Sequence, residues 1–293
     1  KKSKATADSH PEGVFAHRHI GTETQADALF RVASYIAEHG LQAGSQYLSA
    51  KALLLRQELP DSASEQADEN ALQRALKLSQ SMVSGVIPIQ GPPGTGKSFT
   101  GAHMICELIK AGKKVGVTAN SHKVIRNLID KVIEVAASQS LPLVCGHKAE
   151  QNNQEEDSAQ LRIYGKNDQM LEALERQEIA VGGGTHFFDS VDVLVVDEAA
   201  QMSVANVLAV SQAAPLLVLL GDPNQLEQPM QGTHPEGAGV SALEHILKDR
   251  KTISEQQGIF LGTTWRMHPD ISMFISEMFY EGKLKSVDTA SQQ

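Results

Sequence analysis

The stretch Gly91-Pro92-Pro93-Gly94-Thr95-Gly96-Lys97-Ser98 limits what this chain can fold into more than any other feature. It lies between an apolar run at 86–90 and a segment whose Phe99, Ala102, Ile105, Leu108 and Ile109 recur at helical spacing up to Gly112. Gly91 and Gly96, followed by Lys97 and Ser98, let the backbone curl so that successive N–H groups face one point, which is a cradle for phosphate groups. The helix that starts near Lys97 adds the positive end of its dipole to the same point. Lys97 is placed to neutralise β- and γ-phosphate charge, and Ser98 to hold Mg²⁺. A tight Gly-rich turn without a ligand is the rival reading, and the flanking strand and helix weigh against it. A strand running through such a turn into a helix is half of a βαβ unit, so the expected class is α/β with a mainly parallel sheet.

The remainder of the chain extends that pattern. Short apolar runs predict strands near 86–90, 114–118, 143–145, 179–181, 193–196, 216–220 and 259–261, with helical stretches between them. Pro88 lies inside the first and removes one ladder donor. Ahead of the cradle, Ala26, Leu29, Phe30, Ala33, Ile36 and Ala37 predict a helix that Gly40 stops. A second helix ends at Pro60, with Leu53, Leu54 and Leu55 as packing surface, and a third runs over about 65–82. Residues 1–23 read as a polar tail or linker. The polar stretch 149–178 reads as a mostly helical surface insertion, with Glu155, Glu156 and Asp157 on a solvated face.

Two further loops carry chemistry. The buried-strand run Val193-Leu194-Val195-Val196 ends in Asp197-Glu198, which puts both carboxylates at the carboxyl end of a strand, where ligands bind in open parallel sheets. There Asp197 suits a Mg²⁺ hydration shell, and Glu198 suits the orientation and deprotonation of an attacking water. The run 216–220 ends in Gly221-Asp222-Pro223-Asn224-Gln225-Leu226, where Gln225 either senses a γ-phosphate or belongs to an ordinary Gly-Asp-Pro-Asn turn.

Totals exclude several classes. A net charge of -9 argues against a grip on nucleic acid through overall positive charge, so any such track is local; Lys123 and Arg126 add local positive charge without by themselves making a track. Cys106 and Cys145 alone make neither a disulfide framework nor a paired zinc site, which fits a reducing cytoplasm. No apolar run approaches the roughly 18 to 20 residues needed to span a bilayer. The chain of 293 residues begins with Lys, and a fragment of a longer protein is expected.

The order of the pieces resembles superfamily-1 helicases of the Upf and senataxin-like branch. The resemblance rests on the cradle, then Asp197-Glu198-Ala199-Ala200-Gln201, then the Gly221 to Leu226 loop, and last Trp265-Arg266-Met267-His268-Pro269. It implies a RecA-like P-loop NTPase lobe over 65–262, a tail and helical segment over 1–64, and the start of a second RecA-like lobe over 263–293. It also implies ATP with Mg²⁺ as ligand. Gly91, Pro92, Pro93, Gly94, Thr95, Gly96, Lys97, Ser98 and Phe99 would then bind the nucleotide. Arg266 resembles the family's arginine at the γ-phosphate, and Trp265 stands where an aromatic ring stacks near adenine; a core Trp and a surface Arg are the plain rivals. Gln73 resembles the adenine-reading glutamine upstream of the cradle, or is an ordinary surface glutamine. Asn120, Ser121 and His122, with Thr185 beside His186, resemble the family's nucleic-acid contacts, or are polar turns. The segment from His234-Pro235-Glu236-Gly237 to Ser241-Ala242-Leu243-Glu244 is similar to a bacterial subgroup fused to a RecB-like nuclease.

The resemblance implies ATP-driven movement on single-stranded DNA or RNA, 5′ to 3′, and full catalysis that needs a further arginine beyond this chain. An ATPase that remodels proteins without nucleic acid, and a non-catalytic nucleotide module, remain as alternatives. The second is hard to reconcile with intact Lys97, Ser98, Asp197 and Glu198.

Overall fold

The computed structural model describes residues 21–60, 69–149, 157–185, 191–225 and 237–287. The tail up to residue 20, the first part of the third expected helix, and Glu155, Glu156, His186, Leu226, His234, Pro235 and Glu236 lie outside them.

An eight-stranded sheet organises the described residues, with β1 Gly85–Gln90, β2 Val115–Thr118, β3 Cys145–Lys148, β4 Leu161–Tyr164, β5 Val181–Gly183, β6 Val193–Val196, β7 Leu216–Gly221 and β8 Ile259–Phe260. Their order is β4-β3-β5-β2-β6-β7-β1-β8, and every pairing is parallel. The apolar runs explain this, because a parallel sheet is covered on both faces and its strands need no polar side. In β6 and β7, Val193, Val195, Leu216, Val218 and Leu220 enter one core, while Leu194, Val196, Leu217 and Leu219 enter the other. Each such buried side chain contributes about 1.5–3 kcal/mol.

Helices α3 (Ala71–Ser81), α4 (Lys97–Lys110) and α5 (His122–Ser138) fill the first core. The second core receives α2 (Leu48–Leu55), α6 (Asn167–Glu175), α7 (Val204–Val210) and α8 (Ala242–Leu247), and α1 (Glu23–His39) packs on α7. The face of α1 differs from the expected one. Ala28 and Val32 are its buried residues, while Phe30 is 74% exposed, because α1 docks on another helix rather than on the sheet. Of the leucine run, Leu53 is core and Leu55 is exposed.

Pro88 is accommodated by parity. Gly85 N and Gly91 N donate to Pro215 O and Gly221 O of the β7 side, both at 2.9 Å, so odd positions of β1 face β7 and even positions face β8. The β8 ladder begins only opposite Ile89, so no donor is demanded of Pro88.

Two corrections concern the far edge. The expected strands at 143–145 and 179–181 begin later, at Cys145 and Val181, where the ladder between them starts. Glycines hid this register: a Cβ on Gly183 would lie 2.5 Å from Ile129 Cδ1 and 2.7 Å from Ile125 Cγ2, so α5 rests directly on the bare backbone of β5. Within the stretch 149–178, the described residues 157–178 belong to the sheet layer rather than to a surface insertion. Leu161–Tyr164 pairs with β3 as the edge strand, and Met170, Ala173 and Leu174 of α6 are buried against the sheet. Asp157 accepts a hydrogen bond from Ile163 N at 2.7 Å and so braces β4, in addition to being exposed.

After β8 the chain leaves the main sheet. The strands β9 (Thr263–Thr264) and β10 (Lys285–Ser286) form a separate parallel pair joined through α9 (Pro269–Phe279), a small βαβ unit. His268 caps α9 and Pro269 stands in its first turn, where a missing N–H costs nothing. Among the described residues, no helix is long and apolar enough to cross a membrane.

Candidate active site

Neighbouring strands β6, β7 and β1 bring three loops to one rim of the sheet. The cradle leaves β1 and enters α4 through Gly94 (φ 77) and Gly96 (φ 86), both in the left-handed region that favours glycine. A Cβ on Gly94 would also sit 2.9 Å from both Arg266 Cβ and Thr264 Oγ1, so only glycine lets the two segments approach. Gly96 caps α4 without a side-chain hydrogen bond, which leaves the first-turn N–H groups available to an anion. Lys97 Nζ donates to Gly91 O at 2.7 Å, and Thr95 Oγ1 to Pro92 O at 2.7 Å.

Asp197 directly follows β6 and is almost fully buried, and Glu198 comes next in a left-handed conformation (φ 51). Burial, helped by the neighbouring Glu198 charge, pushes the Asp197 carboxyl from 3.8 up to about 6, against the opposing pull of the Glu198 N–H and Lys97. That N–H donates to Asp197 Oδ1 at 2.9 Å. Glu198 Oε2 is buried without a hydrogen-bond partner. From β7, Gln225 N donates to Asp222 O at 3.0 Å, which closes the turn that presents Gln225.

The opposite wall comes from the segment after β9. Trp265 N donates to Gly94 O at 3.0 Å and Thr264 Oγ1 to Pro93 O at 3.1 Å, which ties it to the cradle itself. The resulting cavity of about 830 Å³ is lined by Pro92, Pro93, Gly94, Thr95, Gly96, Lys97, Ser98, Phe99, Lys131, Glu198, Gln225, Trp265 and Arg266. Trp265 is 61% exposed, so it is a wall residue rather than core. Gly91 and Asp197 lie immediately behind the lining, as the acceptor for Lys97 and the residue before Glu198.

An AAA domain model matches residues 69–257 and a second AAA domain model matches 238–293, the first alone covering more than half of the chain. The chain belongs to the AAA domain family. Its relatives in sequence include superfamily-1 helicases of the Upf1-like branch. It is 29% identical over 259 residues to the Regulator of nonsense transcripts 1 homolog of Drosophila melanogaster, covering 75% of this chain and 21% of that protein. It is 28% identical over 258 residues to the DNA-binding protein SMUBP-2 of Rattus norvegicus (67% and 25%). With the 5'-3' DNA helicase ZGRF1 of Mus musculus it shares 37% identity over 94 residues (31% and 5%). This AAA domain chain therefore spans a quarter or less of these relatives' length.

Not every expected residue of the AAA domain site reaches the cavity. Gln73 does not. Its Oε1 accepts from Asn70 N at 3.0 Å while Gln73 N donates to Asn70 Oδ1 at 2.9 Å, a capping box that uses the side chain to start α3. The candidate nucleic-acid residues gather on the same rim but further along, after the adjacent strands β2 and β5. Asn120 Nδ2 donates to Gln201 O at 2.7 Å and Ser121 Oγ caps α5 by accepting from Val124 N, so both serve the fold. His122 lies edge-on to buried His147, with ring centroids 5.8 Å apart, and Thr185 is half-buried. Lys131 was not anticipated: it sits in α5 next to Glu134 (Nζ to Oε2 2.6 Å), a pairing of any solvated helix, and only the packing of α5 on α4 reveals its second role as cavity wall.

The donors suit a metal-bound triphosphate. A hydroxyl at Ser98, a buried carboxylate at Asp197 and an unpartnered buried oxygen on Glu198 form an oxygen-rich set of the kind Mg²⁺ accepts. Cys106, pushed by burial up to about 11, and Cys145, also raised, belong to the core.

Proposed function

We propose that this chain is the ATP-binding and ATP-hydrolysing part of a helicase or translocase acting on single-stranded DNA or RNA. The observation that carries this reading is one cavity walled by the cradle, Glu198 and Gln225 on one side and by Trp265 and Arg266 on the other. Phosphates bound there draw Lys97 from Gly91 O to their own oxygens, exchanging a neutral acceptor for a charged one. Ser98 and Asp197 hold Mg²⁺, which neutralises phosphate charge when bound. Glu198, with an oxygen in want of a donor, accepts the proton of the attacking water as the water oxygen bonds to the γ-phosphorus and the bond to ADP breaks. Gln225 and Arg266 donate to the γ-phosphate oxygens, and Trp265 offers its ring to adenine.

The relatives' names support nucleic acid as partner and, for one of them, 5′ to 3′ movement on DNA. Two buried thiols suit a reducing cytoplasm. Nuclease fusion rests on sequence resemblance alone. The test is ATP hydrolysis by the full-length protein with and without oligo-dT or oligo-U. Stimulation of about ten-fold or more is expected, whereas hydrolysis indifferent to either strand returns the protein-remodelling alternative.

A further inference from the structure

Gln225 and Arg266 face one cavity from two different parts of the chain, so something must fix their separation. Two rigid pieces do so. One is the turn from Asp222 to Gln225, closed by Gln225 N to Asp222 O at 3.0 Å and by Asn224 N to Asp222 Oδ1 at 3.3 Å. The other is α9, which begins three residues after Arg266 and ends at Phe279. The pieces are joined at their far ends. Tyr280, 3% exposed, donates its hydroxyl to Oδ2 of fully buried Asp222 at 2.7 Å, and Asn224 Nδ2 donates to Phe279 O at 3.2 Å. Burial first and Asp222 second raise the Tyr280 phenol, so it stays protonated and remains the donor.

On the reading proposed above, we infer that Tyr280 is a positioning residue for hydrolysis: through Asp222 it holds the Gln225 turn at a set distance from Arg266, so that both reach one phosphoryl group. Neither Tyr280 nor Asp222 lines the cavity. The effect of their bond is confined to how two phosphate ligands are placed relative to each other. A misplacement of about 1 Å there costs up to about 10² in rate while ground-state binding, dominated by the cradle, is little changed.

The experiment is steady-state ATPase kinetics of the full-length protein with Tyr280→Phe, which keeps the ring beside Phe260 (centroids 6.0 Å apart) and deletes only the hydroxyl. The expected result is a fall in kcat of about ten-fold with KM for ATP within about two-fold of the parent. In a double-mutant cycle, Gln225→Ala should be no slower for the added Tyr280→Phe, because the two act as one unit. Should Tyr280→Phe fail to fold, exposed Asn224→Ala severs the parallel link and is expected to give the same kcat-selective loss in smaller measure. An unchanged kcat, a rise confined to KM, or additive losses in the cycle would overturn the inference and leave the helicase reading standing. A parent protein that hydrolyses no ATP would overturn the reading and this inference together.

Discussion

The rim of the sheet divides into two regions that differ in how their polar groups are satisfied. After β1, β6 and β7, Lys97 leans on a backbone carbonyl of its own loop, Glu198 Oε2 has no partner, and Asp197 is held as a buried acid. After β2 and β5, Asn120 braces a neighbouring turn and Ser121 caps a helix. The difference teaches that the same kinds of residue at the same sheet edge can serve a ligand or serve the fold. Glu198 Oε2 and Thr118 Oγ1 are both buried without a partner, at a cost of about 1–3 kcal/mol each, but only Glu198 lines the cavity, and the cavity is what marks the first region.

The largest expected break in that contrast is Lys97→Ala. Loss of the cradle cation should reduce ATP hydrolysis at least about 10²-fold and weaken MgATP binding in calorimetry. Glu198→Gln should cost hydrolysis a similar factor of about 10² or more, yet keep nucleotide affinity near the parent value, since its role begins with the attacking water. By contrast, Asn120→Ala should lower the melting temperature and leave nucleotide affinity unchanged. Tighter or weaker nucleotide binding in that variant would erase the division of the rim.

Protons should act in two directions at Asp197. Its folded-state value of about 6 lies above the ordinary 3.8, so it contributes stability that is full below about pH 4 and is lost as pH rises through about 6. Mg²⁺ needs the ionised carboxylate, so apparent metal affinity should fall about ten-fold per pH unit below 6. Asp197→Asn should therefore raise the melting temperature of the nucleotide-free protein while removing the pH dependence of metal-assisted binding. A destabilised Asp197→Asn protein would contradict the sign.

Smaller effects sharpen the boundary. Lys131→Ala should raise KM for ATP by about three-fold, in keeping with a partly exposed cation. Gln73→Ala should cost about 0.5–1 kcal/mol of stability and no nucleotide affinity, as measured by denaturant unfolding and titration.

Much of the first region was legible in the chain itself. Glycine spacing, a strand before and a helix after located the cradle, and apolar runs ending in Asp197-Glu198 and in Gly221-Asp222 located its neighbours. What escaped depended on tertiary contact. Gly182 and Gly183 carry no apolar side chain to signal β5, and at Gly183 α5 packs on the bare backbone; Leu161 to Tyr164 drew its strand character from pairing with β3. Gln73 looked like a base reader because a capping box and an adenine contact ask for the same amide. Lys131 reaches the cavity only through the packing of two helices.

The most direct measurement is a crystal structure of this chain with Mg²⁺ and a non-hydrolysable ATP analogue. The expected density places the triphosphate along Gly94 to Ser98, with Lys97 moved off Gly91 O, the metal beside Ser98 and Asp197, and the γ-phosphate within hydrogen-bonding reach of Gln225 and Arg266. An analogue bound elsewhere, or Lys97 still bonded to Gly91 O at saturating nucleotide, would contradict it.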